Sequence, residues 1–109
     1  MKEQFIHINE YGTKRYYKDR EMTIAHREDG PAFEWANGTK IWYINGKYHR
    51  EDGPAIEWEH GTKRWYLRGK LHREDGPAIE WTDGDGEWYL NGIRLTEQEF
   101  NQRINSVYE

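Results

Sequence analysis

The sequence predicts an all-β fold: a single-domain array of antiparallel β-hairpins forming an open, meandering sheet, with a short C-terminal capping helix. Three observations predict it. The chain repeats itself with a period of 23 residues. Each repeat carries two short runs of aromatic and β-branched residues bounded by glycine turns. The repeat then stops, and residues 95–109 switch to a helical pattern.

The period is explicit. Residues 26–48, 49–71 and 72–94 align without gaps, with 16 of 23 positions identical in the first pair and 15 of 23 in the second. The heptapeptide His26-Arg27-Glu28-Asp29-Gly30-Pro31-Ala32 recurs letter for letter at 49–55 and 72–78. All three prolines and all six tryptophans fall inside this frame. A degenerate unit precedes it. Gly12-Thr13-Lys14-Arg15-Tyr16-Tyr17 echoes Gly38-Thr39-Lys40-Ile41-Trp42-Tyr43, and three extra residues follow within positions 18–25. The chain therefore divides into a degenerate N-terminal unit (1–25), three repeats (26–94) and a C-terminal cap (95–109). Arrays of this kind need atypical end units to stop propagation.

The elements follow in order. Phe5, Ile6 and Ile8 mark a strand that closes the N-terminal end. In the second repeat Ala55-Ile56-Glu57-Trp58 reads as one strand and Lys63-Arg64-Trp65-Tyr66-Leu67 as the next. Ala36-Asn37-Gly38 and Glu59-His60-Gly61 close the hairpins. Asn45-Gly46 and Asn91-Gly92 mark the following turn, and Asp-Gly-Pro the one after that. No segment within 26–94 is glycine-free and 3.6-periodic over a helical length. Strict alternation along each strand assigns an apolar face of Phe33/Ile56/Ile79, Trp35/Trp58/Trp81, Trp42/Trp65/Trp88 and Ile44/Leu67/Leu90. The opposite face then stacks Glu34/Glu57/Glu80 with Tyr43/Tyr66/Tyr89. Beyond the repeats, Thr96-Glu97-Gln98-Glu99 matches a capping box, and Leu95 and Phe100 stand where a hydrophobic staple needs them. A helix over 97–107 would carry Phe100, Ile104 and Val107 or Tyr108 on one face.

The frame resembles MORN repeats, especially divergent MORN-like variants of bacterial and phage proteins. The residues that carry the resemblance are Gly61, Trp65-Tyr66, Gly69-Lys70, His72, Gly76 and Asp83-Gly84. One unit earlier they are Gly38, Trp42-Tyr43, Gly46-Lys47, His49 and Gly53, and the pattern spans residues 12–94. The chain departs from it at Arg-Glu-Asp-Gly-Pro, where a typical MORN unit has small residues. The resemblance implies a hairpin scaffold for protein or lipid contacts rather than an enzyme. Short bacterial and phage relatives of that type include antitoxin-like proteins.

Several chemistries can be weighed on the residues themselves. His26, His49 and His72 form a ladder with Asp29, Asp52 and Asp75. Equivalent histidines two strands apart are separated by about 10 Å, too far to share one metal ion. A catalytic site is needed once and sits in a pocket; three identical copies in one frame are what a structural turn produces. The only serine is Ser106, and there is no cysteine. We therefore expect no catalytic residues, no metal and no cofactor. The absence of cysteine also fits a reducing compartment.

Charge narrows the partners. The formal net charge is -4, with acids and bases interleaved, which argues against a nucleic-acid binder. No apolar run reaches the length of a membrane span, and the N-terminus lacks a signal-peptide pattern. The expected location is the cytoplasm, or the host cytoplasm if the protein is phage-encoded. The expected function is a non-enzymatic protein-interaction module, in the manner of a phage or bacterial inhibitor or antitoxin-like factor. Its candidate partner-binding residues are Glu34, Tyr43, Glu57, Tyr66, Glu80 and Tyr89, since tyrosine is enriched at binding hot spots. The alternative is a nucleotide- or sugar-binding protein that uses stacked aromatics. A single sheet cannot bury its tryptophan face alone, so a homodimer or a protein partner is expected to cover it.

Overall fold

The structure is a computed structural model that describes residues 3–108, with the side chains of residues 3–106. It is an open sheet of antiparallel hairpins followed by one helix. The N-terminal unit supplies β1 (Phe5–Ile8) and β2 (Lys14–Tyr17). The first repeat contains β3 (Phe33–Glu34), β4 (Lys40–Ile41), β5 (Tyr43–Ile44) and β6 (Lys47–Tyr48). The second contains β7 (Ile56–Glu57), β8 (Lys63–Arg64), β9 (Tyr66–Leu67) and β10 (Lys70–Leu71). The third contains β11 (Ile79–Glu80), β12 (Gly86–Leu90) and β13 (Ile93–Leu95), and α1 (Glu97–Tyr108) ends the chain.

Nine strands form the main sheet in the order β1-β2-β3-β4-β7-β8-β11-β12-β13, while β5-β6 and β9-β10 are separate two-stranded hairpins. The second strand of each of the first two repeats, expected to be continuous, is thus broken at Trp42 and Trp65. The hydrogen bonds give the reason. Trp42 N–H donates to the Ala55 carbonyl at 2.7 Å, in the main sheet, while its own carbonyl accepts from His49 N–H at 3.1 Å, in the turn beyond. Trp65 does the same with Ala78 and His72. The chain leaves one ladder and joins another within a single residue.

Two turn types recur. Asn37-Gly38 ends a three-residue loop with Gly38 at φ 100°, and Gly61 (φ 105°) and Gly84 (φ 97°) do likewise. The two-residue turns place both members in the left-handed region: Asn45-Gly46 at φ 51° and 76°, Arg68-Gly69 at 50° and 82°, Asn91-Gly92 at 50° and 81°. Those pairs are type I′ hairpin positions, which favour Asn-Gly.

The register overturns the expected faces. Ile56 pairs with Arg64 and Glu57 with Lys63; directly opposed residues share a face. One face of the main sheet therefore carries the row Arg15-Phe33-Ile41-Ile56-Arg64-Ile79-Glu87. The other carries Lys14-Glu34-Lys40-Glu57-Lys63-Glu80-Gly86, an alternating charge ladder. Trp42, Trp65 and Trp88 fall on the glutamate face, and Tyr43, Tyr66 and Tyr89 on the isoleucine face. The expected assignment put Ile56 and Trp65 on one face. It was one residue out, and a one-residue slip exchanges every side chain between faces.

The tail folds as the sequence predicts. Glu99 N–H donates to Thr96 Oγ1 at 3.1 Å, and Thr96 N–H donates to Glu99 Oε1 at 2.9 Å. Leu95 and Phe100 are buried, and α1 packs on β12 and β13. Ile104 is half-buried; the side chains of Val107 and Tyr108 lie outside the described residues. The molecule is a slab of 47 × 31 × 18 Å. Among the described residues no helix is long and apolar enough to cross a membrane.

Candidate binding face

The heptapeptide His-Arg-Glu-Asp-Gly-Pro-Ala builds the first face, and each letter has a partner. The arginine comes first. The Arg50 guanidinium stacks on Trp42 at 3.8 Å, and Arg73 on Trp65 at 3.8 Å. Arg27 stacks on Tyr16 at 4.1 Å, the aromatic of the degenerate unit. Each guanidinium then donates from Nε to the aspartate two residues on, at 2.8–3.0 Å, and from Nη1 to the proline carbonyl, at 3.1–3.2 Å. Nη1 also faces Glu34, Glu57 or Glu80 at 3.9, 3.5 and 3.3 Å. The hydrogen bond and charge of Arg27 hold the Asp29 carboxyl below its ordinary range.

The glycine of the Asp-Gly-Pro turn does not serve an unusual backbone: Gly30, Gly53 and Gly76 are absent from the left-handed region. A Cβ on Gly53 or Gly76 would lie 2.9 Å from the arginine Cζ. Glycine is there because the guanidinium occupies the space. The alanines Ala32, Ala55 and Ala78 are fully buried.

The histidines hold the next turn. His26 Nδ1 accepts a hydrogen bond from Asn45 N–H, His49 Nδ1 from Arg68 N–H and His72 Nδ1 from Asn91 N–H, each at 2.9 Å. Nε2 lies 3.5–3.7 Å from Glu28, Glu51 and Glu74. Among the described residues no three His, Asp or Glu side chains gather as a metal cluster. Two clefts run between successive turns. One of about 500 Å³ is floored by Trp65 and Leu67 and walled by Arg50 and Arg73; its counterpart of about 360 Å³ lies over Trp42 and Ile44. Their arginines and histidines are already engaged within the motif. One period after Arg73 stands Thr96, the cap of α1, which packs on β12.

The opposite face differs in character. Tyr17, Phe33 and Trp35 form a chain of ring contacts with centroids 5.9 Å apart. Phe33 meets Tyr43 at 5.1 Å, and Tyr43, Tyr48 and Tyr66 follow at 4.9 Å steps. Trp58 and Trp81 share the face, with Arg64 lying over both rings at 5.3 and 5.8 Å. Trp81 donates from Nε1 to Glu87 Oε2 at 2.9 Å, and Glu87 pairs with Arg94 at 3.4 Å. Most of these rings are half-buried; Trp81 is 39% exposed. Burial first, then the neighbouring Tyr48 hydroxyl, push the Tyr43 phenol well above its ordinary value.

The six residues singled out from sequence therefore do not make one surface. Tyr43, Tyr66 and Tyr89 lie on the aromatic face. Glu34, Glu57 and Glu80 lie behind it, engaged by Arg27, Arg50 and Arg73. From sequence, Phe33, Trp35, Trp58 and Trp81 were expected on a partner-covered face apart from the tyrosines; the structure joins the two sets and adds Tyr48 and Arg64. A signal was available: pairing Glu57 with Lys63 satisfies opposite charges across the hairpin and fixes the true register. No family model, no curated protein and no solved structure matches this chain.

Proposed function

We propose that the chain is a non-enzymatic, MORN-like interaction module that binds another protein through its aromatic face. The observation that carries this reading is the chain of half-exposed rings formed by Tyr17, Phe33, Trp35, Tyr43, Tyr48 and Tyr66, with Trp58 and Trp81 on the same face joined through Arg64. Large rigid rings give contact area at small entropic cost, and tyrosine and tryptophan dominate binding hot spots. The role in the cell, as a bacterial or phage inhibitor or antitoxin-like factor in the cytoplasm, rests on the resemblance to MORN-like proteins. A nucleotide or sugar stacked among the tyrosines is the weaker reading. A planar ligand between two rings needs about 7–8 Å, twice the carbon contact distance, and the rings stand 4.9 Å apart.

The test is capture of the partner from the native host, identified by mass spectrometry, followed by face-specific variants. Tyr66→Ala and Trp58→Ala should each weaken capture while the protein stays folded. Glu80→Gln, on the opposite face, should not. Equal capture by all three variants counts against this face. Light scattering of the isolated chain decides whether the partner is a second copy.

A further inference from the structure

Arginines on the two faces are treated differently. Arg27, Arg50 and Arg73 each hold an aspartate, a glutamate and a carbonyl. On the aromatic face, Arg94 has Glu87. The Arg15 and Arg64 guanidiniums have no carboxylate among the described residues. Arg15 lies over Phe33 at 5.6 Å. Arg64 lies between Trp58 and Trp81, and its Nε is shielded from water without an acceptor. It stands in the ladder between Ile56 and Ile79, both 4% exposed.

Packing does not require a cation there. The equivalent position one repeat earlier is Ile41, and one repeat later Glu87, whose oxygens are taken by Trp81 and Arg94. A half-buried, unpaired guanidinium is costly to hold, and stacking on two tryptophans offsets that only in part. The two rings flank the guanidinium and fix the plane of the fork, and only Nε is shielded from water; terminal nitrogens so oriented suit a carboxylate bound in bidentate fashion. Arg15 and Arg64 are four ladder steps apart, about 19 Å. An extended peptide covers that distance in roughly six residues.

We propose that Arg64, assisted by Arg15, anchors an acidic segment of the partner protein, with two carboxylates about six residues apart in extended chain. The inference rests on the aromatic face being the binding face. It gives a protein of net charge -4 a locally cationic docking surface for an acidic partner.

The experiment uses the full-length chain and fluorescein-labelled peptides, read by fluorescence polarisation. One peptide carries two glutamates six positions apart around leucine and proline; its control carries glutamines. Free glutamate and inorganic phosphate serve as competitors. The glutamate peptide should bind roughly tenfold or more tighter than the control, and Arg64→Leu should remove that difference. Lys63→Gln, on the opposite face, should keep it. Free glutamate and phosphate should compete only at much higher concentration than the peptide. The melting temperature of Arg64→Leu should be unchanged or higher, since Ile41 fills the same slot. No binding of the glutamate peptide, equal binding of the control, or full binding by Arg64→Leu overturns the proposal. So does a large drop in melting temperature in Arg64→Leu, which would make the arginine structural. Competition by free glutamate or phosphate as effective as the peptide overturns the assignment to a protein segment. Loss of partner capture in Trp58→Ala with full capture by Arg64→Leu would leave the binding face standing and remove only the acidic anchor.

Discussion

Arg50 holds four groups at once: the Trp42 ring, the Asp52 and Glu57 carboxylates and the Pro54 carbonyl. Its position explains Gly53, whose hypothetical Cβ falls 2.9 Å from the Arg50 Cζ. Gly53→Ala should therefore displace the guanidinium and destabilise the protein by about 1–3 kcal/mol. Urea denaturation measures this, and wild-type stability would refute the spatial argument. The histidines belong to the same scale. Each accepts one backbone hydrogen bond from the following turn. Alanine at His26, His49 or His72 should cost about 1–2 kcal/mol in each case. One dominant position among the three would instead indicate chemistry at that site. The sequence marked this heptapeptide as a structural turn. The stack on the preceding unit's aromatic was not legible, because it joins residues that only the closed turn brings together.

At the level of elements, the turns were the most readable feature and the strands the least. Asn45-Gly46 and Asn91-Gly92 announce type I′ turns, and both occur. Arg68 takes the same left-handed conformation at φ 50° without the asparagine that tolerates it. Arg68→Asn should stabilise the protein by on the order of 1 kcal/mol, seen as a higher melting temperature; a lower one would show that the arginine side chain contributes there. The helix start was equally legible. Thr96→Ala removes the cap and should cost about 1 kcal/mol, measured by loss of helical circular dichroism on warming. The break at Trp65 was hidden, since its aromatic neighbours read as one uninterrupted strand. Only the competing partners, Ala78 for its N–H and His72 for its carbonyl, divide it.

At the level of the molecule, a slab 18 Å thick has little interior, and its faces are finished by different means. Arginines cover Tyr16, Trp42 and Trp65, and α1 packs on β12 and β13 at the end of the array. On the aromatic face Arg15 and Arg64 also lie over rings, but Trp81 stays 39% exposed, which is why function is placed there. Stability should also depend on carboxylates spread along the array. The Thr23 hydroxyl first, with backbone N–H groups of Thr23 and Ile24, lowers the Asp19 pKa. Arg27 lowers that of Asp29. The Thr96 backbone N–H lowers that of Glu99. Groups with depressed folded values stabilise above their unfolded values, 3.8 for the aspartates and 4.5 for Glu99. That contribution is lost as pH falls through the lower folded values. The melting temperature should fall on acidification below about pH 4. The fall should be shallower in Asp19→Asn and Glu99→Gln; parallel curves would contradict these assignments.

The sequence by itself determined the period, the positions of the turns, the capping box and the all-β class. These depend on residues close together in the chain, whose backbone preferences act locally. Tertiary structure decided which side chains share a face, with the opposed charges of Glu57 and Lys63 as the one trace of it in the sequence. Side chains alternate with a period of two, so one residue of register exchanges the faces completely. That register is set by a three-residue loop ending in left-handed glycine and by bonds such as Trp42 to Ala55. Hydrophobicity along one strand carries no record of either. It placed the tyrosines beside the glutamates, while the folded sheet sets them among phenylalanine, tryptophan and an unpaired arginine.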